Sequence, residues 1–414
     1  MEKRVAFITL GCKLNFAESS ELARKLQDIG YEQVGASCDA EVYVVNTCTV
    51  TEHSDKKCRN IIRRIHKLHP DAKIIVTGCY AQLKPGEIMD IEGVTAVLGA
   101  QYKGDVAAIV SGDTEAGIYN CDSKSVTALF PAYSSGERTR SFLKVQDGCD
   151  YRCSYCTIPE ARGRSRNFSI ESLVAQAEEI ASKGIKEIVL TGVNTGDFGR
   201  TTGEKFLDLL KALNEVDGIE RYRISSIEPN LLSEEIVDWI ASGTKFLPHF
   251  HIPLQAGSDK TLKRMHRRYT TAMFKEKIEY IRSRMGEFVF FGIDVIVGFP
   301  GETDEDFLDT YHFLEEINPA FIHIFPYSRR AGTEAAAMPD QVQESVKTAR
   351  VEALEELCDK LHSSFCEKNK GRKEKVLFES TVKGGKISGY TGNYIRVEIP
   401  CDKKLIGGIV EVII

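Results

Sequence analysis

Three cysteines in the short stretch GCDYRCSYC have the spacing of ligands for a metal centre. Cys149, Cys153 and Cys156 follow the pattern C-x3-C-x2-C, and no fourth Cys or His follows at short range. A closed structural zinc site needs four ligands, and iron–sulfur clusters usually take four Cys. Three thiolates on one loop therefore indicate a cluster with one iron left open for a substrate or cofactor. A zinc knuckle that borrows a distant fourth ligand is the alternative.

A second set of three cysteines is spread over the first hundred residues. Each follows a predicted strand: Cys12 in TLGCK, Cys48 in VVNTCTV and Cys79 in IVTGCYA. In a parallel sheet the carboxyl ends of the strands share one edge, where open α/β sheets bind ligands. We therefore expect the three thiols to converge on a second cluster with an open iron. The alternative is three buried small hydrophobes, the commonest fate of a free Cys.

The elements that position these cysteines indicate an α/β protein with three parts. Alternating strand and helix patterns near the N-terminus predict a doubly wound parallel sheet. From Ser141 onwards, six further strand–helix units predict a partial, open parallel (β/α)6 barrel, with the cluster loop after its first strand. A long helix over residues 343–368 precedes a segment rich in β-branched residues and Gly, which predicts a small antiparallel β-barrel. The predicted boundaries are 1–115 for the first domain, 116–140 for a linker, 141–370 for the second domain and 371–414 for the last.

The strand predictions follow the β-rich runs of the sequence. In the first domain they cover Val5–Leu10, Val42–Asn46 and Lys73–Thr77. In the second domain they cover Phe142–Val145, Glu187–Leu190, Tyr222–Ser226, His249–Ile252, Phe288–Val297 and Phe321–Phe325.

Composition excludes several classes of protein. The 414 residues carry a net charge of −6 and 12 Cys, with no signal-peptide pattern at the N-terminus. Cysteines in such a chain are expected to be reduced thiols or metal ligands rather than disulfides. The most apolar run, Phe288–Pro300, is interrupted by Asp294 and too short to span a bilayer. We expect a cytoplasmic monomer that does not bind membranes.

With both triads placed, the chain resembles the radical S-adenosylmethionine (SAM) methylthiotransferases over nearly its whole length. The stretches HFHIPLQAGSDKTLKRMHRRYT, IDVIVGFPGETDEDF and IFPYSRRAGTEAAAMP also match that family. The resemblance implies two 4Fe–4S clusters. The auxiliary cluster would be held by Cys12, Cys48 and Cys79, and the radical cluster by Cys149, Cys153 and Cys156. The C-terminal module resembles a TRAM domain, which is an RNA-binding barrel.

The family has three main branches, which differ in substrate. One modifies N6-isopentenyladenosine in tRNA, one N6-threonylcarbamoyladenosine in tRNA, and one an Asp of a ribosomal protein. The stretches ARGRSRN, LTGVNTGDFG and ISSIEPN are most similar to the threonylcarbamoyladenosine branch. We therefore expect a 2-methylthio group to be added to that base next to the anticodon.

The resemblance also implies a reaction scheme and partners. The target carbon is an aromatic C–H with neither an acidic proton nor a leaving group, so the reaction needs a radical. The radical cluster would supply it by reducing SAM, which yields a 5′-deoxyadenosyl radical. The auxiliary cluster would carry a sulfur that a first SAM methylates. Besides tRNA, the enzyme would need a sulfur donor and a flavodoxin- or ferredoxin-like electron donor.

Several residues near the predicted strand ends are candidates for the SAM pocket. Tyr155 lies between two cluster Cys, where the superfamily places an aromatic beside the adenine; simple loop packing is an equal alternative. Glu228 could bind amino or ribose groups, or serve as an acid at a helix start. His249 and His251 share one strand face, as packed residues or as ligands. The remaining candidates are Gly192, Asn194, Gln255 and Gly298.

Basic clusters predict RNA contacts in an otherwise acidic chain. They lie after the radical-cluster loop, in KRMHRR and in the C-terminal module; a solvated charged face is the alternative. The candidates are Arg162, Arg164, Arg166, Lys263, Arg264, Arg267, Arg268, Lys383 and Arg396. A non-enzymatic RNA-binding protein, stabilised by zinc at both triads, is the competing interpretation.

Overall fold

The N-terminal part of the molecule is a six-stranded parallel sheet. The computed structural model describes residues 3–136 and 139–414. The strands are β1 (Arg4–Thr9), β2 (Glu32–Val34), β3 (Val42–Thr47), β4 (Lys73–Gly78), β5 (Val94–Leu98) and β6 (Ile118–Tyr119). Their order is β2-β1-β3-β4-β5-β6. The order reverses between β1 and β3, which makes that crevice the topological switch point where such sheets bind ligands.

Helices cover both faces of this sheet, as a doubly wound fold requires. They are α1 (Lys13–Asp28), α2 (Glu52–Leu68), α3 (Cys79–Leu83), α4 (Pro85–Met89) and α5 (Val106–Ser111). Leu22 and Val106 pack on one face, and Ile62 and Ile88 on the other. The predicted parallel sheet is confirmed. The two-residue strand β6 lies inside the segment that was predicted as a linker. The prediction missed this strand because two residues are too few to form a recognisable pattern.

The second part contains six parallel strands, as predicted, arranged as an open half-barrel. The strands are β7 (Arg140–Lys144), β10 (Glu187–Thr191), β11 (Arg221–Ile224), β12 (His249–Gln255), β13 (Phe290–Val297) and β14 (Phe321–Pro326), with a short antiparallel pair β8 (Gln146–Asp147) and β9 (Arg166–Asn167). They form two three-stranded sheets, β11-β10-β7 and β12-β13-β14. Hydrogen bonds from Tyr222 N to Lys245 O (2.8 Å) and from Ile227 N to His251 O (3.1 Å) join the two.

Helices cover the outer face of the half-barrel and form the largest core with it. They are α6 (Ile158–Arg162), α7 (Ile170–Ser182), α8 (Phe206–Asn214), α9 (Glu234–Ala241), α10 (Asp259–Arg264), α11 (Thr271–Met285), α12 (Asp304–Ile317), α13 (Glu334–Ala337) and α14 (Glu344–Asn369). Ser169 and Thr303 cap α7 and α12 with side-chain hydrogen bonds. Successive side chains of a strand point to opposite faces of the sheet. Every second residue of the six strands therefore faces the interior of the half-barrel, and the others face the helices.

The C-terminal module is a four-stranded antiparallel sheet. Its strands are β15 (Lys373–Lys383), β16 (Lys386–Tyr390), β17 (Arg396–Pro400) and β18 (Ile409–Ile413), in the order β17-β16-β15-β18. It docks on the amino ends of the barrel strands. There Arg223 donates to the carbonyls of Thr391 (2.7 Å) and Gly392 (2.8 Å), and its guanidinium lies 4.8 Å from the ring of Tyr394. Within the described residues, no helix combines the length and the apolar character needed to cross a membrane.

Candidate active site between two cysteine triads

The first triad lies at the switch point of the N-terminal sheet. Cys12 precedes α1 as its N-cap residue, Cys48 follows β3 directly, and Cys79 is the first residue of α3, after β4. The thiols are close enough to interact, since those of Cys79 and Cys12 both raise the pKa of Cys48 further than burial alone, to about 12. The expected convergence of these three residues at one edge is therefore observed.

The second triad lies on a tight loop between β8 and α6. Backbone N–H groups point at its sulfurs: Tyr151 N is 3.3 Å from Cys149 Sγ, and Ile158 N is 3.5 Å from Cys156 Sγ. Gly148, with φ +71°, starts the loop, and a Cβ there would lie 2.0 Å from the carbonyl oxygen of Arg164. Donors aimed at sulfur are what an iron–sulfur ligand loop needs.

Burial favours the protonated thiols of Cys48, Cys79, Cys149 and Cys156 when no metal is bound. It raises the pKa of Cys149 and of Cys156 to about 12, with the neighbouring thiol of Cys153 adding to the effect. Metal binding must displace these protons, because the ligand is the thiolate. Soft sulfur donors in sets of three fit iron–sulfur clusters rather than a hard cation.

Asn194 shows that the space beside the second triad is built for a ligand. Its side chain is buried, yet neither amide atom has a hydrogen-bond partner in the described part of the chain. The loop carrying Asn194 is tied to the cluster loop by Gln146, whose Oε1 accepts from Val193 N (3.0 Å) and Asn194 N (2.9 Å) and whose Nε2 donates to Gly148 O (2.7 Å). A Cβ at Gly192 would lie 3.0 Å from that same Oε1.

Sequence reasoning missed Gln146, although its position at the end of the first barrel strand could have indicated it. The residue carries no chemistry of its own that a motif would flag. Its side chain joins the loop that carries Asn194 to the cluster loop by hydrogen bonds, and this contact is visible only in the folded structure.

Glu228 and Arg267 form an ion pair at the second triad. Arg267 Nη1 is 3.1 Å from Cys153 Sγ, its Nη2 pairs with Glu228, and its Nε donates to Tyr269 OH (3.0 Å). Only 3% of the Arg267 side chain is exposed. This corrects the expectation that Arg267 contacts RNA, because its donors are committed to the cluster loop. The same ion pair holds Glu228 beside the second triad, and its contact with SAM stays a prediction.

The structure gives a different local explanation for each of the other predicted pocket residues. Gln255 has a left-handed φ of +69° at a β-bulge, a strained conformation of the kind that clusters at ligand sites. Tyr155 packs edge-on against Phe299, with ring centroids 6.4 Å apart, which favours its packing role. Gly298 is explained by Lys347, whose Cγ would lie 2.4 Å from an added Cβ.

Arg162 and Arg166, predicted to bind RNA, are buried instead. Arg162 reaches into the N-terminal domain, where it donates to Asn15 Oδ1 (2.6 Å) and Glu18 Oε1 (3.1 Å) and also pairs with Asp147 (3.0 Å). Arg166 donates to backbone carbonyls, including that of Ala128 (3.0 Å). Neither guanidinium group is available to a phosphate, because both are buried and donate to acceptors inside the protein.

The remaining basic candidates stay available to solvent. Arg164, Lys263, Arg268, Lys383 and Arg396 are exposed, and Arg264 is partly exposed. The guanidinium of Arg268 lies 3.9 Å from the ring centroid of Tyr151, beside the cluster loop, and Arg396 pairs with Glu398 at 2.8 Å. Their RNA contacts remain predictions.

A cleft of about 1280 Å³ separates the N-terminal domain from the half-barrel beside the second triad. Cys153 and Cys156 line it, together with residues of α2, α4 and the Arg329–Arg330 stretch. Arg330 spans the domains by donating to Thr49 Oγ1 (2.6 Å) and Asp55 Oδ2 (2.8 Å). Sequence reasoning quoted this stretch but assigned it no role. The cleft leads to the cysteines of the second triad.

His249 and His251 have different surroundings although they share a strand face. His249 stacks on Phe290 (centroids 5.1 Å apart) at the amino end of the barrel, so the packing alternative holds for it. His251 Nε2 lies 2.6 Å from Asp294 Oδ1, deeper in the interior.

Comparison with known proteins identifies relatives of both cysteine-bearing domains. A model of the radical SAM superfamily matches residues 143–314, and one of an uncharacterised family, UPF0004, matches residues 4–99. A threonylcarbamoyladenosine tRNA methylthiotransferase from Bacillus subtilis is 40% identical, with 99% of this chain and 93% of that protein aligned. A tRNA-2-methylthio-N(6)-dimethylallyladenosine synthase from Finegoldia magna is 32% identical, with 98% and 90% aligned.

Among solved structures, a radical SAM methyltransferase from Kitasatospora setae, TsrM, has the same fold. The TM-score is 0.59 at 16% identity, with 81% of this chain and 77% of that chain aligned. This likeness supports the architecture of a sheet domain joined to a half-barrel.

Proposed function

The chain belongs to the radical SAM tRNA methylthiotransferases, enzymes whose cofactors are SAM and 4Fe–4S clusters, and we propose that it adds a methylthio group to C2 of N6-threonylcarbamoyladenosine in tRNA. In this proposal each triad holds one cluster. Cys149, Cys153 and Cys156 hold the cluster that binds SAM, and Cys12, Cys48 and Cys79 hold the auxiliary cluster.

The observation that carries the proposal is the approach of the two triads across one domain interface. Helix α3, which begins at Cys79, packs against α6, which begins two residues after Cys156. Arg162 of α6 also binds α1, the helix that begins directly after Cys12. Two centres on elements that pack against each other can act on one substrate atom.

The clusters and SAM, when bound, supply the radical and sulfur chemistry that an aromatic C–H requires. The residues of the chain bind and orient. The unpaired amide of Asn194 is available to a polar group of SAM, and Glu228 is positioned for a cationic or hydroxyl group. The guanidinium of Arg267 beside Cys153 balances the negative charge of a thiolate ligand.

The relatives support this choice of substrate within the family. The relative at 40% identity is named for threonylcarbamoyladenosine, whereas the one named for dimethylallyladenosine is 32% identical. A dimethylallyl (isopentenyl) substrate is therefore the second candidate, and an Asp of a ribosomal protein the third. The proposal also requires a sulfur donor and a one-electron donor of the flavodoxin or ferredoxin type.

Anaerobic purification followed by iron analysis and a methylthiolation assay tests the proposal. We expect a brown wild-type protein with about eight irons per chain, two cubanes of four, that forms the methylthio product on tRNA carrying threonylcarbamoyladenosine. Replacing either triad by Ala should leave about four irons and abolish the product. The variant that lacks Cys12, Cys48 and Cys79 should still cleave SAM reductively.

The matched control is Cys121→Ala, which removes a partly exposed thiol outside both triads. This variant should keep about eight irons and full activity. A colourless wild-type protein that contains zinc would instead support the non-catalytic RNA-binding interpretation. Product on the isopentenyl tRNA alone would move the enzyme to the other tRNA branch.

A further inference from the structure

A polar layer that the proposed chemistry does not use lies midway along the interior of the half-barrel. His251, Asp294 and His323 come from the neighbouring strands β12, β13 and β14, and their ligand atoms all lie within 4.8 Å of one another. The ring centroids of His251 and His323 are 4.9 Å apart. The layer is partly open, with 22% of the His251 side chain and 17% of the Asp294 side chain exposed.

Lys13 brings a cation from the other domain to this layer. It is the first residue of α1 and directly follows Cys12 of the auxiliary triad. Its side chain is partly buried and interacts electrostatically with Asp294 of the barrel interior and with Tyr394 of the C-terminal module, so it lies near both groups. Within the described residues it has no salt-bridge partner, although the charges of Arg140 and Arg223 are also near. Asp294 therefore attracts this cation without forming a direct ion pair with it.

We propose that Lys13 is the specificity-determining residue of the enzyme and that its ammonium binds the carboxylate of the threonylcarbamoyl group, beside His251 and His323. The inference rests on the proposed function, because it takes the threonylcarbamoyl base as the substrate. The carboxylate that Lys13 would bind distinguishes threonylcarbamoyladenosine from adenosines with an uncharged substituent.

The geometry of adenine places the substituent where Lys13 is. C2 and C6 both flank N1, so a group on N6 leaves the ring on the same edge as the reacting carbon. A base that presents C2 to the auxiliary triad must therefore hold its N6 substituent near the residue that follows Cys12. The threonylcarbamoyl group carries one carboxylate, a hydroxyl and urea N–H groups, which match a cation and a layer of His and Asp.

The same layer disfavours an isopentenyl group. An apolar chain inserted here would bury the ammonium of Lys13 and the imidazole of His323 without giving either a hydrogen-bond partner. Sites built to bind polar groups reject analogues that lack them strongly, since each unpaired buried group costs free energy. The interior thus favours a substituent with a carboxylate, which it attracts, and disfavours an isopentenyl group, which would leave buried polar groups unpaired.

A divalent cation is the other occupant that two His and one carboxylate could hold, because this set is typical of non-haem iron sites. The nearby ammonium argues against it, since it repels a second positive charge close to Asp294. We therefore assign the layer to the substrate, and metal binding becomes an outcome of the test.

The test uses reconstituted full-length enzyme and two anticodon stem-loop RNAs. One carries threonylcarbamoyladenosine and the other its neutral analogue with the threonine carboxylate converted to an amide. Wild-type enzyme should show a KM about tenfold or more lower for the carboxylate, the range of a hydrogen bond between charged groups. In Lys13→Gln this preference should vanish, and in Lys13→Arg it should persist in part. Lys25→Gln, in the last turn of the same helix, is the matched control and should keep the full preference.

Iron content reports whether the auxiliary cluster beside Lys13 is intact in each variant, and RNA-independent cleavage of SAM reports the radical cluster. Equal preference for the carboxylate in wild type and Lys13→Gln, with intact clusters, would overturn the inference. So would a stoichiometric zinc, manganese or additional iron ion that is absent from His323→Ala. If wild-type enzyme modifies neither RNA but does modify an isopentenyl stem-loop, the proposed function itself fails, which is a distinct result.

Discussion

At the scale of single residues, the most informative groups are those that lack a partner. Asn194 is buried with both amide atoms unpaired, and the hydroxyl of Ser225 nearby in the barrel is also unpaired. A buried polar group without a hydrogen bond costs about 1–3 kcal/mol. Such a cost is retained where a ligand supplies the missing partner, so these residues mark the proposed SAM pocket better than any motif does.

Substituting Asn194 separates ligand binding from stability. In Asn194→Ala the free protein should unfold at the same temperature as wild type or slightly higher, because an unpaired group is removed. Its affinity for SAM, measured by equilibrium dialysis under anaerobic conditions, should fall about tenfold, the equivalent of about 1.4 kcal/mol.

Asn393→Ala is the matched control, because its amide is fully hydrogen-bonded to Phe288 O (3.0 Å) and Asn369 Oδ1 (2.9 Å), far from the cysteines. It should lower the unfolding temperature and leave SAM affinity unchanged. The reverse pattern in the two variants would show that Asn194 is an ordinary core residue.

At the scale of elements, helices α1 and α6 are joined by a buried charge network. Glu18 of α1 accepts from Arg162 of α6, Lys144 of β7 (2.8 Å) and Lys103 of its own domain. Burial alone would raise the pKa of Glu18, but Arg162, Lys103 and Lys144 outweigh it and hold the pKa well below its usual range. The network therefore fixes the two triads relative to each other only while Glu18 is ionised.

Neutralising Glu18 should loosen the domain interface. Glu18→Gln removes the ion-pair partner of the buried Lys103 and leaves Arg162 and Lys144 to share Asp147. Breaking a buried ion pair on one side costs about 3–5 kcal/mol. Thermal and urea unfolding should show that loss. Glu316→Gln, which breaks an exposed pair with Lys275, should unfold close to wild type, because exposed ion pairs contribute little to stability. Equal stability of the two variants would contradict a structural role for the network.

The structure also shows which parts of the site a sequence can predict. The strands and the cysteine-bearing loops were predictable because they depend on local patterns. Strand β3, for example, begins at the predicted Val42 and ends one residue past the predicted Asn46. The roles of Arg162 and Arg267 were not predictable. Both belong to basic runs, and only the docking of the domains and the fold of the barrel decide that these side chains are buried while Arg164 and Arg268 are exposed.

At the scale of the whole molecule, RNA would have to contact several separate surfaces around the cleft. The protein is acidic overall, so binding relies on local groups such as Lys383 and Arg396 of the C-terminal module, both exposed. That module also closes the amino end of the barrel through Arg223 and Tyr394. Its two roles can be separated, because the RNA candidates lie away from these contacts.

The salt dependence of tRNA binding measures the contribution of the module. In Lys383→Gln/Arg396→Gln, the slope of log affinity against log salt concentration should become shallower by about 0.7–0.9 for each phosphate that the protein no longer neutralises. Lys275→Gln/Lys360→Gln removes two exposed lysines from the outer helices of the barrel and should leave the slope unchanged. If both double variants have the wild-type slope, the module does not contact phosphates.

The most direct test of the central claim is mass spectrometry of tRNA nucleosides from a strain that lacks this protein. We expect the methylthio group to disappear from threonylcarbamoyladenosine and to be retained on the isopentenyl nucleoside. Expression of the wild-type protein should restore it, whereas the variant with Cys149, Cys153 and Cys156 replaced by Ala should not. An unchanged methylthio-threonylcarbamoyladenosine level in the deletion strain, with loss of the isopentenyl derivative, would contradict the account.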